Sequence, residues 1–346
     1  MTAAKLIIDL DAIAANWRAL NRLCRGKAAA VVKADAYGLG VGAVARALGA
    51  AGVRRFFVAT APEGATLRQH TGERADIFVL GGHMPDDTAL IRDHRLVPML
   101  NSPEQAKRQF DALPGAGFGV QLDSGMHRLG LCAADWKILA ADPKIRDTVL
   151  VASHLACADE EDHAQNRAQL QEFCRMTEGL GLPRSLAATG GVLLGSDYHF
   201  DLTRTGIGLY GGAPFTDARP VVRLSVPVIQ VRDVEVGASV GYAASWVARR
   251  PTRIATCSAG YADGLPRSLS NHAVLWADDR PCPLVGRVSM DLITVDVTDL
   301  PEVPERLDIL GPHQGIDALA EAAGTIGYEI LTGLGARYQR SYTGGQ

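Results

Sequence analysis

From residue 28 onward the chain alternates short apolar, β-rich runs with amphipathic stretches. The runs fall at Ala28–Lys33, Arg55–Ala59, Asp76–Leu80, Leu96–Leu100, Gly117–Leu122, Thr148–His154, Ser185–Thr189 and Thr205–Leu209, eight in all. Between them, Val41–Ala51, Pro62–His70, Pro85–His94, Pro103–Phe110, Asp135–Ala141 and His163–Gly179 read as helices, several opened by Pro or Asp in the first turn. Within the last of these, Leu170, Phe173, Cys174 and Thr177 stand at helical spacing and predict one buried face. Eight strands alternating with helices predict a parallel (β/α)8 barrel, which takes about 200 to 250 residues.

Past Pro214 the texture changes. Val221–Val234, Ser239–Val247, Arg253–Ala259, Ala273–Trp276, Leu292–Val297 and Arg306–Leu310 read as strands, with one clear helix at Asp317–Ala323. The expected division is a barrel over residues 1–217 and a mostly antiparallel β domain over residues 218–346. No solenoid repeat or low-complexity tract interrupts either part.

Composition narrows the function without naming it. With 35 Lys and Arg against 38 Asp and Glu, the net charge of −3 gives no basic field for a nucleic acid, and 6% aromatic residues give no platform for stacked bases. The longest apolar runs fall well short of the ~20 residues of a membrane span, and the N-terminus enters a strand-like run without the regions of a signal peptide. A cytoplasmic protein with no membrane partner is expected. Six scattered cysteines without a C-x-x-C pair fit reduced thiols better than disulfides or a zinc site, so no metal is expected. Gly38-Leu39-Gly40-Val41-Gly42 lacks the G-x-G-x-x-G spacing of a dinucleotide site.

In a barrel of this kind, chemistry collects at the C-terminal strand ends. The first strand ends at Lys33, followed by Tyr37 and a glycine-rich turn. A buried lysine is unfavourable unless paired or neutral, and a neutral amine is what a Schiff base requires; a lysine whose stem covers apolar surface fits the same position equally. Strand five delivers Arg128, strand six His154, strand seven Thr189 with Gly190 and Gly191, and the eighth unit Arg204, Gly206 and Ile207. Each alone has a plain reading: a hydrogen-bonded core histidine, surface ion-pair partners, simple turns. Together they would supply an amine, cations for a carboxylate, and a hydroxyl with backbone N–H groups for a phosphate, which such barrels hold after strands seven and eight.

The stretch Ala30-Val31-Val32-Lys33-Ala34-Asp35-Ala36-Tyr37-Gly38 resembles the pyridoxal-phosphate lysine motif of the alanine racemase family. Further similarities follow in order at Asp123–Gly130, Ser153–Ala156, Arg204–Gly211, Val240–Tyr242, Gly260–Gly264 and Gly286–Asp291. The resemblance implies a pyridoxal 5'-phosphate enzyme that interconverts L- and D-alanine by two-base proton transfer, with Lys33 as Schiff-base lysine and base on the D face, and Tyr242 as base on the L face. It implies a homodimer with shared active sites, in which Tyr242 and Met290 of the β domain complete the partner's site and Tyr261 lines the entrance. Tyr37, Thr189, Gly206 and Ile207 would hold the phosphate, His154 would pack on the ring, Arg204 would face the pyridine nitrogen, and Arg128 would bind near the amino-acid substrate.

The chain also departs from the family pattern. Gln121 stands where many members have a lysine, often carbamylated, that orients the substrate-binding arginine; Ala188 replaces a common Asn, Ser289 a common Cys, and Ala336 aligns with a phosphate-binding tyrosine. Racemases of the same family acting on serine, lysine or a broader set, and a non-catalytic pyridoxal-phosphate protein, are the alternative readings.

Overall fold

The computed structural model describes residues 3–345. Two compact units emerge: Ile13–Ala218 forms one, and the residues up to Ala12 join Arg219–Gly344 in the other.

The strands are β1 (Lys5–Asp9), β2 (Ala28–Val31), β3 (Arg55–Val58), β4 (Asp76–Val79), β5 (Leu96–Leu100), β6 (Phe118–Gln121), β7 (Thr148–Ala152), β8 (Arg184–Ser185), β9 (Thr203–Thr205) and the long β10 (Val222–Val234). In the first unit β2 to β8 pair in parallel, each with the next, and β9 pairs with the other edge of β2. Between β8 and β9 the Arg204 N–H donates to Ala187 O at 2.9 Å and the Leu202 N–H to Arg184 O at 3.2 Å, so the eight-stranded barrel is nearly closed. The expected (β/α)8 barrel is present.

Local sequence explains most of the intervening helices. Thr60 and Ser102 cap Ala61–Thr71 and Pro103–Ala112, each with a proline in the first turn. Phe57 and Phe78 stack at 4.6 Å from β3 and β4. On the other side Phe118, Val120, Trp136, Val151 and Phe173 share one buried cluster, which fastens helices Ala133–Ala140 and Ala164–Thr177 to β6 and β7.

Several expectations need correcting; the strand expected at Ser185–Thr189 is Arg184–Ser185, with Thr189 opening the helix Thr189–Leu193. Helix Ala164–Thr177 buries Asn166, Gln169, Phe173, Met176 and Thr177, while Cys174 is exposed; the buried face is turned because Gln169 finds partners inside. The eighth strand is Thr203–Thr205, not Thr205–Leu209, since Gly206 leaves extended geometry (φ −122°, ψ −103°) and Ile207–Tyr210 forms a 3-10 turn. The N-terminal strand, expected within the barrel portion, lies in the β unit, antiparallel to β10 and parallel to the final strand Gln339–Thr343. A helix the sequence reading did not anticipate, Leu10–Leu23, begins directly after β1, where Asp9 Oδ1 accepts the Ala12 N–H at 2.8 Å.

The β unit is organised by β10, whose first half pairs with β1 and Arg306–Leu310 and whose second half pairs with Thr252–Cys257. Apart from the β1 pairing with Gln339–Thr343 its ladders are antiparallel. The expected strand Ser239–Val247 is instead a hairpin of two short strands, Ser239–Val240 and Trp246–Val247, with Tyr242 in the connection. Helix Ile316–Ala323 matches the expected one and is followed by a second, Gly327–Gly333.

Candidate active site

β2 stops at Val31, and Lys33 follows at its C-terminal end. Ala34, Asp35, Ala36 and Tyr37 then adopt φ of +53°, +54°, +55° and +56°, a left-handed turn continued by Gly38 at +81°. For residues with a Cβ this costs roughly 1–2 kcal/mol each, so surrounding contacts must hold it. The Ala34 N–H donates to Glu63 Oε1 at 2.9 Å, the Gly38 N–H to Ala34 O at 2.7 Å, and the Val41 N–H to Asp35 Oδ1 at 2.7 Å. Glu63, in the first turn of helix Ala61–Thr71, accepts the Ala59 N–H on its other oxygen at 2.7 Å and so ties the ends of β2 and β3 together. The turn buries Tyr37, whose ring stacks on Tyr210 at 4.5 Å, and the Tyr210 hydroxyl donates to Val31 O at 2.9 Å.

The Lys33 amine is half-buried. Burial holds its pKa below the ordinary lysine value, the nearby Arg128 guanidinium adds to the depression, and Glu63 opposes both. A lysine so placed is more readily neutral than one in water.

Arg204, on β9, is 4% exposed and is held almost entirely by neutral oxygens. Its Nη1 donates to Ser185 Oγ at 2.6 Å and Ser185 O at 3.0 Å, and its Nη2 to Ser153 O at 2.6 Å. Burial lowers its pKa to about 10, which leaves it charged at neutral pH. The same Nη2 lies 3.2 Å from His154 Nδ1. Burial first, then Arg204, Arg128 and Lys33, push the His154 pKa down to about 3, so the ring is neutral, accepts at Nδ1 and carries its proton on Nε2. Beneath it, Gln169 donates to His154 O at 2.8 Å and accepts the Ala156 N–H at 2.8 Å. Ser153 and Ser124 share a hydrogen bond at 2.7 Å.

On the next strand ends, Thr189 Oγ1 accepts the N–H groups of Gly206 at 3.0 Å and Gly208 at 3.3 Å. Ile207 opens the 3-10 turn, whose first N–H groups have no carbonyl partner within the turn. A Cβ at position 206 would stand 2.6 Å from the Tyr37 hydroxyl, so glycine is required for the backbone to come this close. Tyr37, Thr189, Gly206 and Ile207 thus form one corner.

Arg128 lies on an exposed loop shaped by Asp123, whose Oδ1 accepts the N–H groups of Gly125, Met126 and His127 at 2.9–3.0 Å. Its guanidinium has no ion-pair partner among the described residues. Gln121, buried on β6, brings no charge to it.

Tyr242, Tyr261 and Met290 belong to the β unit and are 71%, 44% and 53% exposed. The loops of Tyr261 and Met290 are joined there: the Tyr261 N–H donates to Ser289 O at 3.0 Å and the Ala262 N–H to Met290 O at 3.0 Å. Arg337 ties them further, donating to both oxygens of Asp263 at 2.7 Å and to Asp291 at 2.7 Å. Near the departure at Ala336, Tyr338 is buried in this unit with an unpaired hydroxyl, and Tyr342 is partly exposed.

Sequence reasoning missed Glu63, Ser185 and Gln169. Only Glu63 carried a signal: Thr60-Ala61-Pro62-Glu63 after a strand has the spacing of a capping box, but the carboxylate accepts the N–H groups of Ala59 and Ala34 rather than that of Thr60. Among the described residues no group of His, Cys, Asp and Glu is placed to hold a metal ion, and the six cysteines are unpaired.

Fold and site define a (β/α)8-barrel protein whose mouth gathers an amine, two guanidiniums and a glycine-flanked hydroxyl, a setting for anionic ligands. Residues 8–214 match the family description "Alanine racemase, N-terminal domain", and residues 221–342 match "Alanine racemase, C-terminal domain". The chain belongs to the alanine racemase family. It is 62% identical over 344 residues to an alanine racemase of Cereibacter sphaeroides, covering 99% of each chain, and 46% identical over 370 residues to one of Rhizobium meliloti, covering 99% of this chain and 97% of that one. Its fold superposes with a TM-score of 0.94 on alanine racemase from Bartonella henselae, solved with covalently bound pyridoxal phosphate, at 37% identity over 99% of this chain and 100% of that one.

Proposed function

We propose that the chain is an alanine racemase that uses pyridoxal 5'-phosphate, works as a homodimer in the cytoplasm, and interconverts L- and D-alanine. The observation that carries this reading is the depressed Lys33 amine, acted on by Arg128, at the barrel mouth that also holds the buried Arg204, which has no carboxylate partner among the described residues. No helix among the described residues is long and apolar enough to cross a membrane.

Two features fit the cofactor. The Tyr37–Gly206 approach leaves no room for a Cβ at position 206 and gathers hydroxyl and backbone donors where a phosphate would sit, held by Tyr37, Thr189, Gly206 and Ile207. Arg204 would face the pyridine nitrogen and His154 the ring. Bound pyridoxal phosphate would supply a carbon for covalent attachment of an amine and an electron-withdrawing ring that acidifies the Cα–H of the amino acid.

The residues of this chain would do the rest. Lys33 Nζ, neutral more easily for its burial, takes the Cα proton on the D face or returns it. Tyr242 Oη of a second copy does the same on the L face, while Met290 and Tyr261 close the approach to substrate. Arg128, free of internal carboxylates, receives the substrate carboxylate. Arg204 donates a hydrogen bond but keeps its proton, which favours protonation back at Cα over transamination.

The test is a chiral assay of alanine in deuterated water. Wild type should exchange and invert Cα, Lys33→Ala should lose both together with covalent cofactor attachment, and Tyr242→Phe should lose inversion. Retained racemisation in Lys33→Ala would overturn the reading. A broader amino-acid range is favoured by one observation, the uncharged Gln121 in place of an anion that would restrain Arg128; steady-state rates with serine and lysine decide it.

A further inference from the structure

We infer that Glu63 is a positioning residue for Lys33: through two backbone N–H groups it fixes the left-handed turn that aims the lysine, and it places a negative charge near the amine. The inference rests on the reading of Lys33 given above. The geometry comes from both oxygens being used at once, Oε1 by the N–H of Ala34, the residue directly after Lys33, and Oε2 by the N–H of Ala59 at the end of β3. Ala34 is the first of four consecutive non-glycine residues with positive φ, so the bond falls where the chain enters its least favourable conformation. Without an anchor, relaxation of that turn would move the Cα of Lys33 and its side chain with it.

The electrostatic setting matches. Lys33 is faced by Arg128 from the loop after β6, by His154 from the end of β7 and by Glu63 from the helix after β3. His154 is neutral, and Asp35, two residues along, has its carboxylate on the Val41 N–H. Glu63 is therefore the group that counters burial and Arg128 at the amine. Its charge raises the pH at which Lys33 becomes neutral, against the larger effects of burial and Arg128, and its reach sets where the amine points.

Glu63→Gln separates these effects from a purely structural role. The amide keeps one acceptor, opposes its NH2 to a backbone N–H, and removes the charge. In the full-length chain before cofactor is added, Lys33 is modified with formaldehyde and cyanoborohydride across a pH series and followed by peptide mass spectrometry. The expected result is a midpoint displaced to lower pH in Glu63→Gln, so that Lys33 reacts faster than wild type at any pH below the midpoint. In the loaded enzyme kcat should fall roughly tenfold with KM little changed, as for a misplaced reacting group. An unchanged midpoint overturns the inference whether or not Lys33 binds cofactor, whereas the reading of Lys33 itself fails only on the Lys33→Ala result. Glu63→Asp provides the second arm should Gln prevent folding. One methylene shorter, it retains the charge but cannot span both N–H groups. Faster amide exchange at Ala34, a wild-type midpoint and a lowered kcat are expected; wild-type exchange and kcat overturn the positioning role.

Discussion

His154 Nδ1 lies 3.2 Å from Nη2 of Arg204, so a neutral imidazole and a charged guanidinium are buried as one hydrogen-bonded unit. The pair has a consequence for stability against pH. With a folded pKa of about 3 against an ordinary 6.5, His154 takes its proton in the unfolded chain before it does in the folded one. Its contribution is whole above pH ~6.5 and is lost as pH falls from there towards 3, at up to about 1.4 kcal/mol per pH unit. Urea denaturation at pH 7.5, 6 and 5 should show this slope in wild type and a flatter one in His154→Gln. Equal slopes would place the acid lability elsewhere.

Thr189 holds two N–H groups, from Gly206 and Gly208, on a single oxygen. Thr189→Val fills the same volume but leaves both donors buried and unpaired, at a cost of about 1–3 kcal/mol each. A lowered urea midpoint and a weaker affinity for pyridoxal phosphate in a spectroscopic titration are expected, and Thr189→Ser should restore most of both. A valine variant with wild-type affinity would remove Thr189 from the phosphate corner.

Much of this site was legible because a barrel confines chemistry to strand ends, and the residues at five of the eight strand ends stand out in the sequence. What escaped depends on contacts between distant segments. Glu63 is a routine first-turn acid in sequence, and its reach across to Ala34 exists only once β2 and β3 lie side by side. Gln169 looks like a surface position by composition, yet its amide satisfies the backbone beneath His154 and turns the helix so that Cys174 points out. The N-terminal strand was assigned to the wrong unit because its partners lie more than 200 residues away, at Val222–Ser225 and in Gln339–Thr343. Likewise the bend at Gly206 is invisible in a run that reads as β, and it ends the strand at Thr205, with Arg204 buried inside it.

Tyr242 is exposed within its own unit, so its substitution should separate activity from stability. Tyr242→Phe leaves every internal contact in place, and denaturation should agree with wild type within about 0.5 kcal/mol. As one of two proposed bases, its loss should lower kcat for L-alanine by at least about 100-fold, with cofactor absorbance retained. A variant with near-normal kcat would dismiss the tyrosine as a base; one that unfolds earlier would show it anchors the hairpin.

In the corner of Tyr37, Thr189, Gly206 and Ile207 the tight approach is that between Gly206 and Tyr37, and it predicts a coupling that neither residue shows alone. A Cβ at position 206 would meet the Tyr37 hydroxyl at 2.6 Å but the ring carbon bearing it only at 3.6 Å, an ordinary contact. The Tyr37 ring cannot slide away readily, being stacked on buried Tyr210 and carried on the left-handed turn after Lys33. Gly206→Ala in the wild-type chain should therefore displace either the turn or the Gly206–Ile207 backbone and weaken pyridoxal-phosphate affinity sharply. In a Tyr37→Phe background the obstructing oxygen is gone, and the same Gly206→Ala change should weaken affinity much less. A double-mutant cycle on the cofactor dissociation constant reads this as a coupling of about 0.5–3 kcal/mol, the range for residues in contact. Strict additivity would mean that the glycine is needed for its backbone angles alone and that the hydroxyl does not bound the phosphate corner.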